Sequence, residues 1–216
     1  NNPTTAVADR AFYERLVTFA REHNIIVIHD NAYSDLLLNG QQGLSFLSTP
    51  GAKEVGIEFN SLSKTYNLTG MRVSFALGNR DVISRFRAFR SQIDYGMFYP
   101  IQAGAVAALT GPQDIVARNR AGYMARRDAL CGGLRRIGWD VPDAQGTMFV
   151  WAKIPEKHTS SVDFVIELME KTGVICVPGS AFGAQGEGYV RFALVVPPER
   201  MEQAVRRIDE SGMLKG

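Results

Sequence analysis

Four consecutive apolar residues, Ile25-Ile26-Val27-Ile28, follow a stretch in which Phe12, Leu16, Phe19 and Ala20 recur at helical spacing, and they end in the polar pair His29-Asp30. A helical period that switches within a few residues to a continuous apolar run predicts a helix leading into a strand buried on both faces. The alternation returns further along: 57–61 and 72–77 read as two more strands, and helical patterns occupy roughly 80–93 and 100–109. Strands of this kind between helices predict an α/β fold, part of a mostly parallel sheet flanked by helices. Ligands of such sheets lie off the carboxyl ends of the strands. Asp30 and the residues after Ser61 therefore become the first places to look for chemistry.

From about residue 113 to 137 a long arginine-rich helical pattern leads into a different texture. Strand-like runs at 148–152, 174–177 and 189–195 alternate with helical patterns at 162–170 and 199–208. The expected organisation is a first α/β unit over 1–122 and a second, smaller α+β unit over 123–216 attached through the long helix. No internal repeat or low-complexity segment interrupts it, and glycines gather in turns, as in Pro178-Gly179-Ser180-Ala181-Phe182-Gly183.

Composition narrows the function classes. A hydrophobic share of 45% over 216 residues is ample for a real core. No run approaches the roughly 18 apolar residues of a membrane span, and the start does not resemble a signal peptide, so the expectation is a cytoplasmic protein without membrane partners. A formal charge of +2 is too small to imply nucleic acid. Cys131 and Cys176 have neither metal-ligand spacing nor the count of a disulfide framework; they read as buried thiols, and no metal is expected.

Lys64 stands in Ser61-Leu62-Ser63-Lys64-Thr65, at the end of a strand-like run, with Arg72 eight positions on. A lone loop lysine is ordinarily solvated charge. Desolvation and a nearby cation instead lower a lysine pKa and expose its nucleophilic form, which suits a Schiff base with an aldehyde cofactor. The hydroxyls of Ser61 and Ser63 and the Arg72 guanidinium suit a phosphate on that cofactor. Asp30, by itself a helix cap or surface charge, would keep a pyridine nitrogen protonated, and Tyr33 and Asn2 would reach a ring hydroxyl.

Taken in order, Asn2-Pro3-Thr4, Asp30-x-x-Tyr33, Ser61-x-Ser63-Lys64 with Gly70-x-Arg72, Pro178 to Gly183 and Val190-Arg191-Phe192-Ala193 resemble the class I/II aminotransferases of fold type I, which use pyridoxal 5′-phosphate. Tyr66 to Arg72 and Asp94 to Phe98 look most like the LL-diaminopimelate aminotransferase branch and related alanine or aspartate types. The resemblance implies that Lys64 forms the internal aldimine and then moves the substrate proton. It implies that Asp30 pairs with the pyridinium nitrogen, and that Asn2 and Tyr33 hydrogen-bond the 3′-oxygen. Ser61, Ser63 and Arg72 would hold the phosphate, and Arg191 would grip the substrate α-carboxylate as a bidentate pair. The implied reaction exchanges an amino group between an amino acid and a 2-oxo acid in a homodimer. Tyr95, Met97 and Phe98 would then line the neighbouring subunit's pocket or lie in the dimer interface.

Departures carry expectations of their own. Thr5 stands where the family has glycine, which predicts a less bent loop around Asn2; Ser74 replaces another glycine without consequence for the chemistry. His29 lies near the ring or packs under it. Family chains are nearly twice as long, and this chain starts inside a motif without a methionine, so it is expected to be a carboxyl-terminal fragment with little activity alone. A lyase working from the same lysine, and a sensor domain behind a helix-turn-helix in a transcription regulator, are the alternatives; residues upstream of Asn1 would separate the second.

Overall fold

Asp9 starts helix α1 (Arg10–Glu22), its carboxylate accepting the Phe12 N–H at 2.7 Å. At the far end Asn24 takes a left-handed φ of 52° and the Ile25 N–H donates to the Ala20 carbonyl at 2.9 Å. The first two residues of the apolar run are thus used to leave the helix, and strand β1 covers Val27–Asp30 rather than starting at Ile25. The structure, a computed structural model, describes residues 1–215 and divides into two units: Ala8–Arg120, and Asn1–Val7 with Ala121–Gly216. Residues 1–7, which the sequence reading assigns to the first unit, thus group with the second.

In the unit Ala8–Arg120, a short helix α2 (Ala52–Val55) precedes β2 (Gly56–Ser61), which pairs parallel with β1 in a register running from Val27 opposite Gly56 to Asp30 opposite Phe59. One turn of helix, α3 (Leu62–Thr65), and a 3-10 turn follow, and β3 (Ser74–Gly78) then pairs antiparallel with β2. The three described strands are therefore joined by one parallel and one antiparallel pairing. A four-residue helix advances the chain only about 6 Å, too little to return it to the other end of the sheet, so β3 must run back beside β2. Helices α4 (Arg80–Arg90), capped by the Asn79 side chain, and α5 (Tyr99–Thr110), with Pro100 in its first turn, complete the unit.

Apolar clusters among the described residues hold these elements. Tyr13, Val17 and Ala20 of α1 pack with Phe46, Ala52 and Val55 against Val27, while Leu62, Val73 and Ala105 pack with Met97 and Ile101. The expected cover on both faces of β1 is not met among the described residues, since Ile28 is 68% exposed.

Helix α6 (Asp114–Arg136) leads into the second unit, where β4 (Phe149–Lys153), α7 (Ser161–Thr172), β5 (Val177–Pro178), β6 (Tyr189–Ala193) and α8 (Pro198–Glu210) form a three-stranded antiparallel sheet, order β4-β6-β5, with helices. Strand β5 is shorter than the run at 174–177 predicts: only Val177 and Pro178 pair, and Pro178 has no N–H to donate. Val150, Ala152, Val190 and Phe192 form the buried face, closed by Trp139, whose indole N–H donates to the Lys153 carbonyl at 2.8 Å, and by Phe164.

The Pro178–Gly183 turn depends on a close approach. A Cβ on Gly179 would collide with the Gly186 carbonyl and come to 2.7 Å from the Tyr189 carbonyl, both backbone atoms that cannot yield as a side-chain tip can. Gly179→Ala is expected to cost about 1–3 kcal/mol, read as a lowered urea midpoint at unchanged m-value in the complete polypeptide.

Candidate active site

Alternation along β1 decides what each polar residue faces. Asp30 shares a face with Ile28, Ile57 and Phe59, whereas His29 shares the other with Glu58. Because β1 and β2 are parallel and in register to Phe59, the carboxyl end of β1 at Asp30 and that of β2 at Ser61 open on the same edge of the sheet. Lys64 follows in α3, half-buried, and Tyr33 lies half-buried in the turn after Asp30. Among the described residues no hydrogen bond or ion pair engages the side chain of Asp30 or Lys64. Asp30 is exposed and Lys64 half-buried, so an acid and an amine stand unpaired at the ends of adjacent strands.

The turn bearing Lys64 is held from several directions. Ser61 Oγ accepts the Ser63 N–H at 3.2 Å and donates to the Val73 carbonyl at 3.4 Å, and Thr69 Oγ1 donates to the Ser63 carbonyl at 3.1 Å. Next to Lys64, Thr65 Oγ1 donates to Asp35 Oδ2 at 2.8 Å and its carbonyl accepts Asn119 Nδ2 at 3.0 Å; Arg120 Nε donates to the Asp35 carbonyl at 3.2 Å. Asn119 and Arg120 thus clamp both the lysine turn and the loop carrying Tyr33. Arg72, exposed and at a left-handed φ of 54°, donates to the Thr69 carbonyl at 3.1 Å.

Beneath the same strand ends lies a polar cluster that the sequence reading missed. Glu58, 7% exposed, accepts from Asn31 Nδ2 at 3.0 Å and Ser45 Oγ at 2.9 Å and lies 3.0 Å from His29 Nδ1; His29 Nε2 lies 3.2 Å from the Tyr13 hydroxyl. Burial alone would raise the Glu58 pKa, but the hydrogen bonds from His29, Asn31 and Ser45 outweigh it and hold the carboxyl at about 2. His29 therefore packs under the sheet and does not face the edge that Asp30 faces. The signal for Glu58 in the sequence was a charge set between the apolar residues Ile57 and Phe59 of a strand. Its pKa lies below the ordinary 4.5, so the unfolded chain takes up protons first as pH falls; the stability it contributes is whole above about 4.5 and drains as pH drops toward about 2. The complete polypeptide is expected to lose urea stability more steeply between those values than its Glu58→Gln variant.

In the second unit Asn2 and Arg191 meet. Arg191 Nη1 donates to Asn2 Oδ1 at 2.8 Å, and the guanidinium carbon lies 4.1 Å from the centre of the Phe149 ring and 4.6 Å from that of Phe182. Arg191 is on the face of β6 opposite the core, opposite Trp151, which stacks on Tyr189. The loop around Asn2 is bent despite Thr5, contrary to expectation: Thr5 adopts a φ of 61°, and its N–H donates to the Asn1 carbonyl at 2.9 Å. Tyr95 and Phe98 are exposed, while Met97 packs with Leu62, Val73 and Ala105.

A lysine and a carboxylate at the ends of adjacent strands are a combination found in one class of enzymes, and the chain belongs to a family of that class: the profile of the family Aminotransferase class I and II matches residues 1–208. The similarity is specific. LL-diaminopimelate aminotransferase of Dehalococcoides mccartyi is 46% identical over 208 residues, 96% of this chain and 53% of that protein, and the protein of that name from Halothermothrix orenii is 47% identical over 211 residues, 98% and 54%. Among solved structures, BacF from Bacillus subtilis superposes with a TM-score of 0.93 at 39% identity, covering 97% of this chain and 53% of that one. A probable N-succinyldiaminopimelate aminotransferase from Thermus thermophilus gives 0.91 at 37%, covering 98% and 56%. The chain spans about half the length of the relatives it matches.

Members of this family depend on pyridoxal phosphate. The donor set fits that group: an uncommitted amine for an aldehyde, an uncommitted carboxylate for a cationic ring nitrogen, and hydroxyls and a guanidinium for a phosphate. No described helix is long and apolar enough to cross a membrane.

Proposed function

We propose that the complete polypeptide carrying this chain is a pyridoxal-phosphate-dependent aminotransferase exchanging an amino group between an amino acid and a 2-oxo acid, with LL-diaminopimelate or a close analogue as the amino-acid partner. The observation that carries the reading is the opening of Asp30 and of the Ser61–Lys64 turn on one edge of two parallel strands, with neither side chain engaged in a hydrogen bond or ion pair among the described residues. The substrate class rests on the name shared by relatives at 44–47% identity.

When bound, the cofactor supplies an aldehyde and a ring that draws electrons from the substrate α-carbon. Lys64 would be the amine that takes the aldehyde and, once displaced by the substrate's amino group, the free base that moves the substrate α-proton. Asp30 keeps a proton on the ring nitrogen; Tyr33 and Asn2 hydrogen-bond the ring oxygen. Ser61, Ser63 and Arg72 hold the phosphate. Arg191 takes the α-carboxylate with two parallel N–H donors, and the stacked Phe149 and Phe182 fix the plane of its guanidinium. The same proposal includes a homodimer, with exposed Tyr95 and Phe98 available to a second copy, and a cytoplasmic location.

Borohydride reduction of the complete protein followed by peptide mapping should find the pyridoxyl mass on Lys64, and a panel of amino acids should yield pyridoxamine phosphate, with LL-diaminopimelate among the best donors. No adduct on Lys64 sinks the reading; release of pyruvate and ammonia in place of pyridoxamine phosphate would make the protein a lyase.

A further inference from the structure

Asp30 has an immediate neighbour on either side, and both are held by one carboxylate. Glu58 Oε2 lies 3.0 Å from His29 Nδ1, and Glu58 Oε1 accepts Asn31 Nδ2 at 3.0 Å. Ser45 adds a third bond to Oε2 at 2.9 Å, and Tyr13 holds the far nitrogen of His29 at 3.2 Å. The backbone at Asn31 is fixed as well: its N–H donates to the Phe59 carbonyl at 2.8 Å, and its carbonyl accepts Asn60 Nδ2 at 3.1 Å. All of the side-chain bonds to Glu58 lie on the face of the strands opposite Asp30.

A carboxylate is an expensive choice at this place. The same face of β1 and β2 packs Val27 against Tyr13, Val17 and Phe46, and an apolar residue at position 58 would continue that core. A buried charge that is fully hydrogen-bonded adds little to stability over an apolar replacement, and what it provides is one arrangement in place of several. The last residue of a strand is where such a constraint has most to do, because the ladder ends there and the chain turns away into the Tyr33 loop.

We infer that Glu58 is a positioning residue for the reaction: by gripping His29 and Asn31 from beneath the sheet, it sets the direction in which Asp30 presents its carboxylate to the ring nitrogen of the cofactor. The inference rests on the proposed function, and it adds to it a residue that touches neither cofactor nor substrate. Aim governs the effect, because a proton shared between carboxylate and ring nitrogen depends on a short, aligned contact.

The test uses the complete protein loaded with pyridoxal phosphate labelled with nitrogen-15 in the ring, in the native form and as Glu58→Gln, Glu58→Ala and Asp30→Ala. Glu58→Gln keeps the shape and an acceptor for Asn31 but puts an amide NH2 in place of Oε2, where it accepts from neither Ser45 nor His29; Glu58→Ala releases both neighbours. The expected result is graded. The ring-nitrogen resonance moves from its protonated position toward the unprotonated one and cofactor dissociation rises about 10- to 100-fold in Glu58→Ala, with Glu58→Gln between it and the native protein. The shape-conserving Gln variant carries the test if the Ala variant does not fold. Unfolding temperatures that fall in either variant while the resonance and cofactor affinity stay native would overturn the inference and leave Glu58 a stabilising residue only. Failure of Asp30→Ala to move the resonance, or absence of the Lys64 adduct, strikes the proposed function itself and the inference with it.

Discussion

Replacing Lys64 with alanine in the complete protein is expected to reduce transamination at least ~10⁴-fold, because on the proposed reading one side chain supplies both the nucleophile and the proton carrier. Lys64→Arg separates chemistry from charge. A guanidinium keeps the cation but does not deprotonate in proteins, so it neither attacks an aldehyde nor removes a proton from carbon. Both variants should therefore be equally inactive in single-turnover assays that follow the cofactor spectrum. The fold has little stake in the result: the Lys64 side chain makes no hydrogen bond or ion pair among the described residues, and the turn is held by Ser61, Thr65 and Asn119 instead. Unfolding midpoints near native are expected alongside the lost activity. An arginine variant retaining appreciable turnover would mean that another group does this chemistry.

Arg191→Ala should lower kcat/KM about 100-fold, the value of roughly 3 kcal/mol for charge-assisted bonds to a carboxylate. Arg191→Lys should recover only part of it, since an ammonium cannot present two parallel donors. Labelling of Lys64 should persist in both variants, which distinguishes lost substrate grip from lost cofactor. The side chain also packs on Phe149 and Phe182 and donates to Asn2, so a stability loss of about 1 kcal/mol is expected and is measured separately by thermal unfolding. Equal loss of turnover for amines without a carboxylate would place the role of Arg191 elsewhere.

The placement of Asp30 and Lys64 at strand ends was legible in the sequence because it depends on local pattern. Asp30 and Lys64 each follow a short apolar run, and a charge just past such a run lies at a strand end whatever surrounds it. Glu58 obeys the same rule in reverse. A charge within a run predicts burial and a partner, but His29 is 29 residues away along the chain and Ser45 is 13, so the partners become visible only through the register. The Asn119 and Arg120 clamp was hidden for the same reason, since polar residues on an arginine-rich helix look like a solvated face until the Thr65 and Asp35 carbonyls meet them.

Backbone periodicity and residue chemistry together determined the α/β alternation, the helix spans and the placement of Lys64 just past a strand, because each is written in neighbours a few positions apart. Tertiary structure alone decided that β3 runs antiparallel, that residues 1–7 join the second unit so that Asn2 reaches Arg191, and that Thr5 accepts a left-handed turn. Those outcomes depend on where distant segments can satisfy hydrogen bonds and bury apolar surface, and no local pattern encodes which of many possible partners will be there.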